Sequence, residues 1–269
     1  ISPIDNSPAQ KAGLQSGDYV AQIDDKDTSQ YTLDEAVAKI RGDKGTKVKL
    51  TVVRGSSEPK EITITRDVIN VTSVKWSMKP NNIGYINVTQ FGDDTATKIA
   101  EAANELKAQG AQRIILDLRN DPGGYLDAAV AVSSQFMPAG KTVVEERRGG
   151  KVQQKLTSQG GGALEGLPVI VLINEGSASA SEIVAGALRD TIGATLIGEK
   201  SFGKGSVQEI TKLDGGAQVK ITVAHWFTPS GQGIDKVGIK PKIEVKQTQE
   251  DYNAGRDPQL DRALQQFSQ

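Results

Sequence analysis

A serine and a lysine stand 25 positions apart in this chain, each inside a run of small, turn-forming residues. The serine belongs to Asn174-Glu175-Gly176-Ser177-Ala178-Ser179-Ala180-Ser181-Glu182, the lysine to Phe202-Gly203-Lys204-Gly205-Ser206-Val207-Gln208. The chain has no cysteine and a single histidine, so the usual thiol nucleophile and imidazole base are absent or scarce. A lysine made neutral by burial can replace the imidazole and take the proton of a serine hydroxyl. The reference lysine pKa is about 10.4, and apolar surroundings lower it. Reaching roughly 7 costs on the order of 4–5 kcal/mol, borne by folding. Glycines on both sides of Lys204, and Phe202 before it, suit a close-packed and partly dry setting. The same features also fit a solvated loop lysine, the ordinary fate of that residue type.

The elements that would position these residues are strand–turn–helix units. Residues 167–174 form a short apolar run suited to a buried strand, and 182–189 return to helical spacing. A serine in the turn between them sits at a helix N-terminus, where free N–H groups can stabilise a developing oxyanion. Ser177, Ser179 or Ser181 would serve equally as an ordinary helix N-cap. A second unit has the same design. The apolar strand 113–119 runs into Asn120-Asp121-Pro122-Gly123-Gly124-Tyr125, and 126–137 reads as a helix. Paired glycines after a proline allow unusual φ and close backbone approach. Two ordinary strand-to-helix connections would look the same.

Together these segments resemble the carboxy-terminal processing peptidases, or tail-specific proteases, a Ser/Lys family of the S41 type. The resemblance covers nearly the whole chain. It implies that Ser179 is the nucleophile, Lys204 the general base and Gln208 the residue that orients the lysine. It further implies that the oxyanion donors are the N–H of Ala180 and of one glycine of the Gly123-Gly124 pair, with Gly124 favoured. A glutamine suits this post, because a carboxylate beside the lysine would hold it in the ammonium form. The implied reaction is peptide hydrolysis through an acyl-enzyme, with no cofactor. The implied fold class is α/β, a ClpP/crotonase-like core.

His225, within the strand-like stretch 218–227, offers a Ser/His alternative, although a packed or strand-surface histidine fits the same pattern. No metal site is expected, since carboxylates alone would have to form it and no calcium-loop spacing occurs.

The N-terminal part resembles a PDZ domain, beginning partway into the pattern. A short helix after Ser7-Pro8, a helical stretch over 32–41 and alternating runs at 48–54 and 61–65 carry that resemblance. Such domains take a peptide C-terminus as an added strand. The groove is expected to involve Leu33, Val37 and Arg41. Arg41 and Arg54 could each meet a carboxylate or simply be solvated. The first PDZ strands and the carboxylate-binding loop are expected upstream of Ile1, as is any signal or membrane anchor.

The chain has 269 residues, 37% hydrophobic and 24% charged, as expected of about two soluble domains. With 32 basic and 33 acidic residues, nothing marks a nucleic-acid surface. The absence of cysteine fits an exported bacterial protein. The expected layout is an incomplete PDZ domain over 1–67, a crossover over 68–82, a protease core over 83–247 and a helical tail over 248–269. The partners expected are protein or peptide C-termini, and self-association stays open. Two rivals remain. One is a PDZ binding module on a catalytically dead core, against which the intact Ser179, Lys204 and Gln208 set argues. The other is a crotonase-like acyl-thioester enzyme, which gives the PDZ part no task.

Overall fold

The computed structural model describes residues 7–15, 17–55, 57–69, 72–212 and 218–267. The chain divides into two units, Ile1–Val71 and Thr72–Gln269.

In the first unit, a four-stranded sheet is ordered β2-β1-β3-β4, from β1 (Tyr19–Ile23), β2 (Lys26–Asp27), β3 (Lys47–Val53) and β4 (Lys60–Thr65). Strict alternation puts Val48, Leu50 and Val52 of β3 and Ile62 and Ile64 of β4 on one buried face. Ala36 and Ile40 of helix α2 (Leu33–Ile40) pack on that face, as does Ala9 of helix α1 (Pro8–Lys11). Both helices start at capping side chains. Ser7 Oγ accepts from Gln10 N, and Thr32 and Glu35 form a reciprocal capping box.

The second unit is built on a six-stranded sheet ordered β14-β11-β10-β7-β6-β5. Its strands are β5 (Val74–Lys79), β6 (Ile83–Val88), β7 (Arg113–Asp117), β10 (Val169–Ile173), β11 (Thr195–Gly198) and β14 (Ile243–Glu244). All neighbours are parallel except β5, which runs antiparallel to β6. Parallel strands must be covered on both faces, which explains the unbroken apolar runs. Helices α3 (Thr95–Ala108), α4 (Leu126–Ser134) and α5 (Ala180–Ile192) cover one face, with Leu116, Val171 and Ile173 beneath them. Helix α7 (Pro258–Gln266) covers Ile115, Ile170, Leu172 and Ile197 on the other; α6 (Gln249–Asn253) precedes it. Each such fully buried side chain contributes about 1.5–3 kcal/mol.

A second sheet, β12-β13-β8-β9, joins β8 (Thr142–Arg148), β9 (Lys151–Thr157), β12 (Ser206–Lys212) and β13 (Gln218–Phe227). Gly149 and Gly150, both at positive φ, make the tight turn of the expected β8–β9 hairpin. The segment expected to be a crossover over 68–82 differs from that reading. Its later half is β5, hydrogen-bonded along the whole length of β6. As an edge strand it has a single buried residue, Val74, among lysines and half-exposed positions, so its sequence reads like a linker.

Candidate active site

The loops that leave the carboxyl ends of β7, β10 and β11 carry the glycine pair, the serines and the lysine, respectively. In open parallel sheets this edge is where ligands bind.

Ser179 is the residue before α5, with φ 57° and ψ −114°. This backbone state is strained for any residue with a Cβ, at a cost of about 1–3 kcal/mol, and it projects the hydroxyl away from the sheet at a sharp strand-to-helix turn. The three serines of the turn have different surroundings. Ser177 Oγ is buried, donates to Leu118 O at 2.8 Å and accepts from Asn174 N at 3.0 Å. Ser181 Oγ is buried and donates to Asp121 O at 3.0 Å. Ser179 is half-buried and shares a capping box with Glu182, but among the described residues its hydroxyl donates to none.

The glycine pair lies directly against this turn. A Cβ on Gly123 would meet Ala178 O at 2.6 Å, Ser179 Cβ at 2.8 Å and Ala180 N at 2.9 Å. A Cβ on Gly124 would meet Phe91 O at 2.1 Å, where β6 has given way to a backbone bridge with Gly124. The two amides are used differently. Gly123 N–H donates to Asp121 Oδ1 at 2.8 Å. Gly124 N–H has no partner among the described residues, and Ala180, first in its helix, has no intrahelical acceptor for its N–H. Gly124, Ser179, Ala180 and Gln208 line one cavity of about 210 Å³, together with Leu126, Ile183, Ser206, Val207 and Trp226. Gln208 follows a register shift in the β12–β13 pairing, a break that re-aims a strand side chain.

Lys204 departs from the expected burial. Its side chain is exposed, while Gly203 and Gly205 beside it are buried. These glycines let the loop run against residues 234–238, where a Cβ on Gly205 would meet Asp235 N at 2.3 Å. The packing therefore holds the main chain and turns the lysine outward. Among the described residues its amine has no hydrogen bond to Ser179 or Gln208.

Glu182 connects the two loops, and its part was not read from the sequence. Wholly buried, it accepts at Oε1 from Ser201 Oγ (2.6 Å) and Gly203 N (2.7 Å), and at Oε2 from Ser179 N (2.9 Å) and Lys204 N (2.8 Å). The Ser-x-x-Glu spacing of a capping box was its only local signal. A second network fixes the end of β7. Arg119 bonds Asp117 at 2.6 and 2.9 Å and Asp257 at 2.7 and 2.8 Å, and Tyr85 donates to Asp117 at 2.7 Å. Hydrogen bonds to both carboxylates hold the guanidinium pKa above its usual value despite burial. Asp257 also caps α7, so that helix is tied to the strand that leads into the glycine loop.

His225 pairs in register with Ser206, and its Nδ1 is 3.5 Å from Asp235 Oδ2. Its strand neighbour Trp226 lines the cavity, so His225 projects to the opposite face. Among the described residues no cluster suited to a metal ion occurs.

In the first unit, Val37 is half-buried and Arg41 exposed, while the side chain of Leu33 lies outside the described residues. Arg54 is committed, pairing with Asp18 at 2.6 Å and with Gly13 O at 2.9 Å. Residues 1–6, where the PDZ resemblance begins, also lie outside the described residues.

A Gly123→Ala variant is expected to lose at least about 10²-fold in turnover, because the clash would displace Ser179 and the amides beside it. Thermal unfolding of the same variant should show destabilisation of about 1–3 kcal/mol, since Gly123 holds φ 93°. Wild-type turnover in Gly123→Ala would mean that the loop takes no part in the chemistry.

Comparison with known proteins places these features. The family model described as Peptidase family S41 matches residues 82–245, and that of a PDZ domain matches residues 2–54. The carboxy-terminal processing protease CtpA of Bacillus subtilis is 42% identical over 248 residues, covering 91% of this chain and 53% of that protein. The carboxyl-terminal-processing protease of Synechocystis sp. is 42% identical over 252 residues, covering 92% of this chain and 58% of that protein. The chain thus spans between half and three-fifths of these curated relatives. Among solved structures, a photosystem II D1 C-terminal processing protease aligns with a TM-score of 0.73 at 28% identity, over 91% of this chain and 67% of that one. The resemblance read from the motifs is met at the level of family and fold.

Proposed function

The chain belongs to peptidase family S41, and from that premise we propose that it is a serine endopeptidase acting on proteins recognised by their C-termini. The observation that carries this reading is the contrast among the three serines. Ser177 and Ser181 spend their hydroxyls on the fold, whereas among the described residues the Ser179 hydroxyl donates to none, at a cavity bordered by two unspent amides. Ser179 Oγ attacks the scissile carbonyl, and Ala180 N–H and Gly124 N–H receive the oxyanion. Gly124 is preferred over Gly123 because the Gly123 N–H is already taken by Asp121. Lys204 removes the serine proton and returns it to the leaving amine, and Gln208 orients the lysine. Attack releases the C-terminal fragment and leaves an acyl-enzyme that water hydrolyses. Leu126, Ile183, Val207 and Trp226 beside Ser179 support an apolar residue on the acyl side of the cut bond.

The PDZ match supports capture of the substrate's C-terminus by strand addition, with Val37 and Arg41 of α2 and its cap, and Leu33, as the groove residues. The lack of cysteine and the bacterial origin of the relatives support a place outside the cytoplasm. Among the described residues no helix is long and apolar enough to cross a membrane.

The test is cleavage of one unfolded reporter protein made in versions that differ only in the last three residues. The rate is expected to vary at least tenfold among tails, and a free peptide copying the best tail should compete. Equal rates for every tail would remove C-terminal recognition from the reading.

A further inference from the structure

Asp121 is a buried acid that the mechanism above leaves unused. It lies between β7 and the glycine pair and is wholly buried. Its Oδ1 accepts from Gly123 N at 2.8 Å, while its Oδ2 is buried without a hydrogen-bond partner among the described residues. Its main-chain oxygen receives Ala178 N and Ser181 Oγ, each at 3.0 Å, from the serine turn. One residue thus joins the glycine loop to the nucleophile turn through both its side chain and its backbone. Among the described residues no ion pair reaches this carboxyl. Arg119 is committed to Asp117 and Asp257, Glu182 on α5 spends both oxygens on four donors, and Asp127 at the start of α4 accepts from Ala128 N.

An ionised carboxylate is poorly supported by a single amide and a buried, unpartnered oxygen. A neutral acid has no such charge to support. It still accepts from Gly123 and keeps that N–H turned away from the cavity. The amide that follows, on Gly124, is then the one that borders the cavity. Burial pushes the Asp121 carboxyl up to about 7, against the pull of the Gly123 hydrogen bond and of the neighbouring Ser181 hydroxyl, which geometry places on the main-chain oxygen.

We propose that Asp121 is a positioning residue for the oxyanion pocket, holding the Gly123 amide as a neutral acid so that Gly124 N–H faces the substrate, and that its ionisation at higher pH loosens the loop and shuts catalysis down. This rests on the Ser179 reading above. It adds a descending alkaline limb to the ascending limb that a lysine base produces.

The test measures kcat and KM from pH 5.5 to 9 for the full protein and for Asp121→Asn and Asp121→Ala. Asparagine keeps an acceptor for Gly123 N–H and cannot ionise. It is expected to rescue most of the neutral-pH rate and to abolish the alkaline descent, leaving the ascending limb in place. Alanine is expected to lower kcat about 10–100-fold with KM little changed, since an oxyanion donor acts on the transition state.

A second readout is independent of cleavage. The folded pKa of Asp121 lies above its unfolded value, so its stabilising contribution is complete below about 4 and is lost as pH rises through about 7. The Tm of Asp121→Asn should therefore gain on that of the wild type between those limits, by roughly 5 °C or more, and then hold a constant gap. A gap that does not change with pH, or an alkaline limb retained in Asp121→Asn, would overturn the proposal. Should Ser179→Ala cleave normally, the mechanistic reading fails, yet the Tm comparison still decides the state of Asp121.

Discussion

Ser179→Ala is expected to cut turnover by on the order of 10⁴-fold or more while its thermal unfolding stays within about 0.5 kcal/mol of wild type. The structure makes this combination specific. Among the described residues Ser179 Oγ donates to none and faces only the capping-box N–H of Glu182, so its removal costs the fold little. Ser177→Ala and Ser181→Ala should show the opposite pattern. Each deletes a buried hydroxyl, one of which bridges Leu118 O and Asn174 N and the other of which bonds Asp121 O. Leaving such partners unsatisfied costs about 1–3 kcal/mol apiece. Both variants should nevertheless retain the bond-breaking chemistry once folded. The measurement is kcat on a common peptide beside a melting curve for all three. Near-wild-type cleavage by purified Ser179→Ala would end the assignment of the nucleophile.

The sequence foretold the loops of this site better than the contacts between them. Strands β7 and β10 were legible because both faces are buried, which leaves apolar runs too short for helices. Their turns were legible because positive φ and close backbone approach demand glycine, as Gly123 and Gly124 show. Strand β5 was hidden, since an edge position imposes little apolar alternation and its partner β6 is decided by the fold. Glu182 was half-visible. Its spacing from Ser179 announces a helix cap, but its bonds to Ser201, Gly203 and Lys204 join segments about 20 residues apart. No local pattern encodes such a link. Lys204 was misread in one respect. Glycine neighbours signal tight packing of the main chain, and they say nothing of which way the intervening side chain turns. The choice between Gly123 and Gly124 depended on which amide Asp121 occupies, a matter of geometry rather than of motif.

Lys204→Ala is expected to lose nearly as much activity as Ser179→Ala, because nucleophile and base act as one unit. The exposed position of the amine does not oppose this. Ser179 N and Lys204 N share Oε2 of Glu182 at 2.9 and 2.8 Å, so the two nitrogens lie no farther apart than those bonds laid end to end. The lysine loop is further pinned where Phe202 N meets Ser177 O and where Trp226 N meets Gly205 O. The loop that carries the lysine therefore lies beside the nucleophile turn, within the length of a lysine side chain. In the proposed mechanism only a deprotonated amine can take the serine proton, so cleavage should rise with pH on the acidic side of the profile. Lys204→Arg should be as inactive as Lys204→Ala, because a guanidinium keeps its proton at any usable pH. His225→Ala should keep most of its activity and the wild-type profile, as His225 faces Asp235 across from the cavity. The measurement is kcat against pH for these three variants, with melting curves as the control for folding. An inactive His225→Ala beside a normally active Lys204→Ala would replace the lysine base with a histidine and require the strand to turn its faces over.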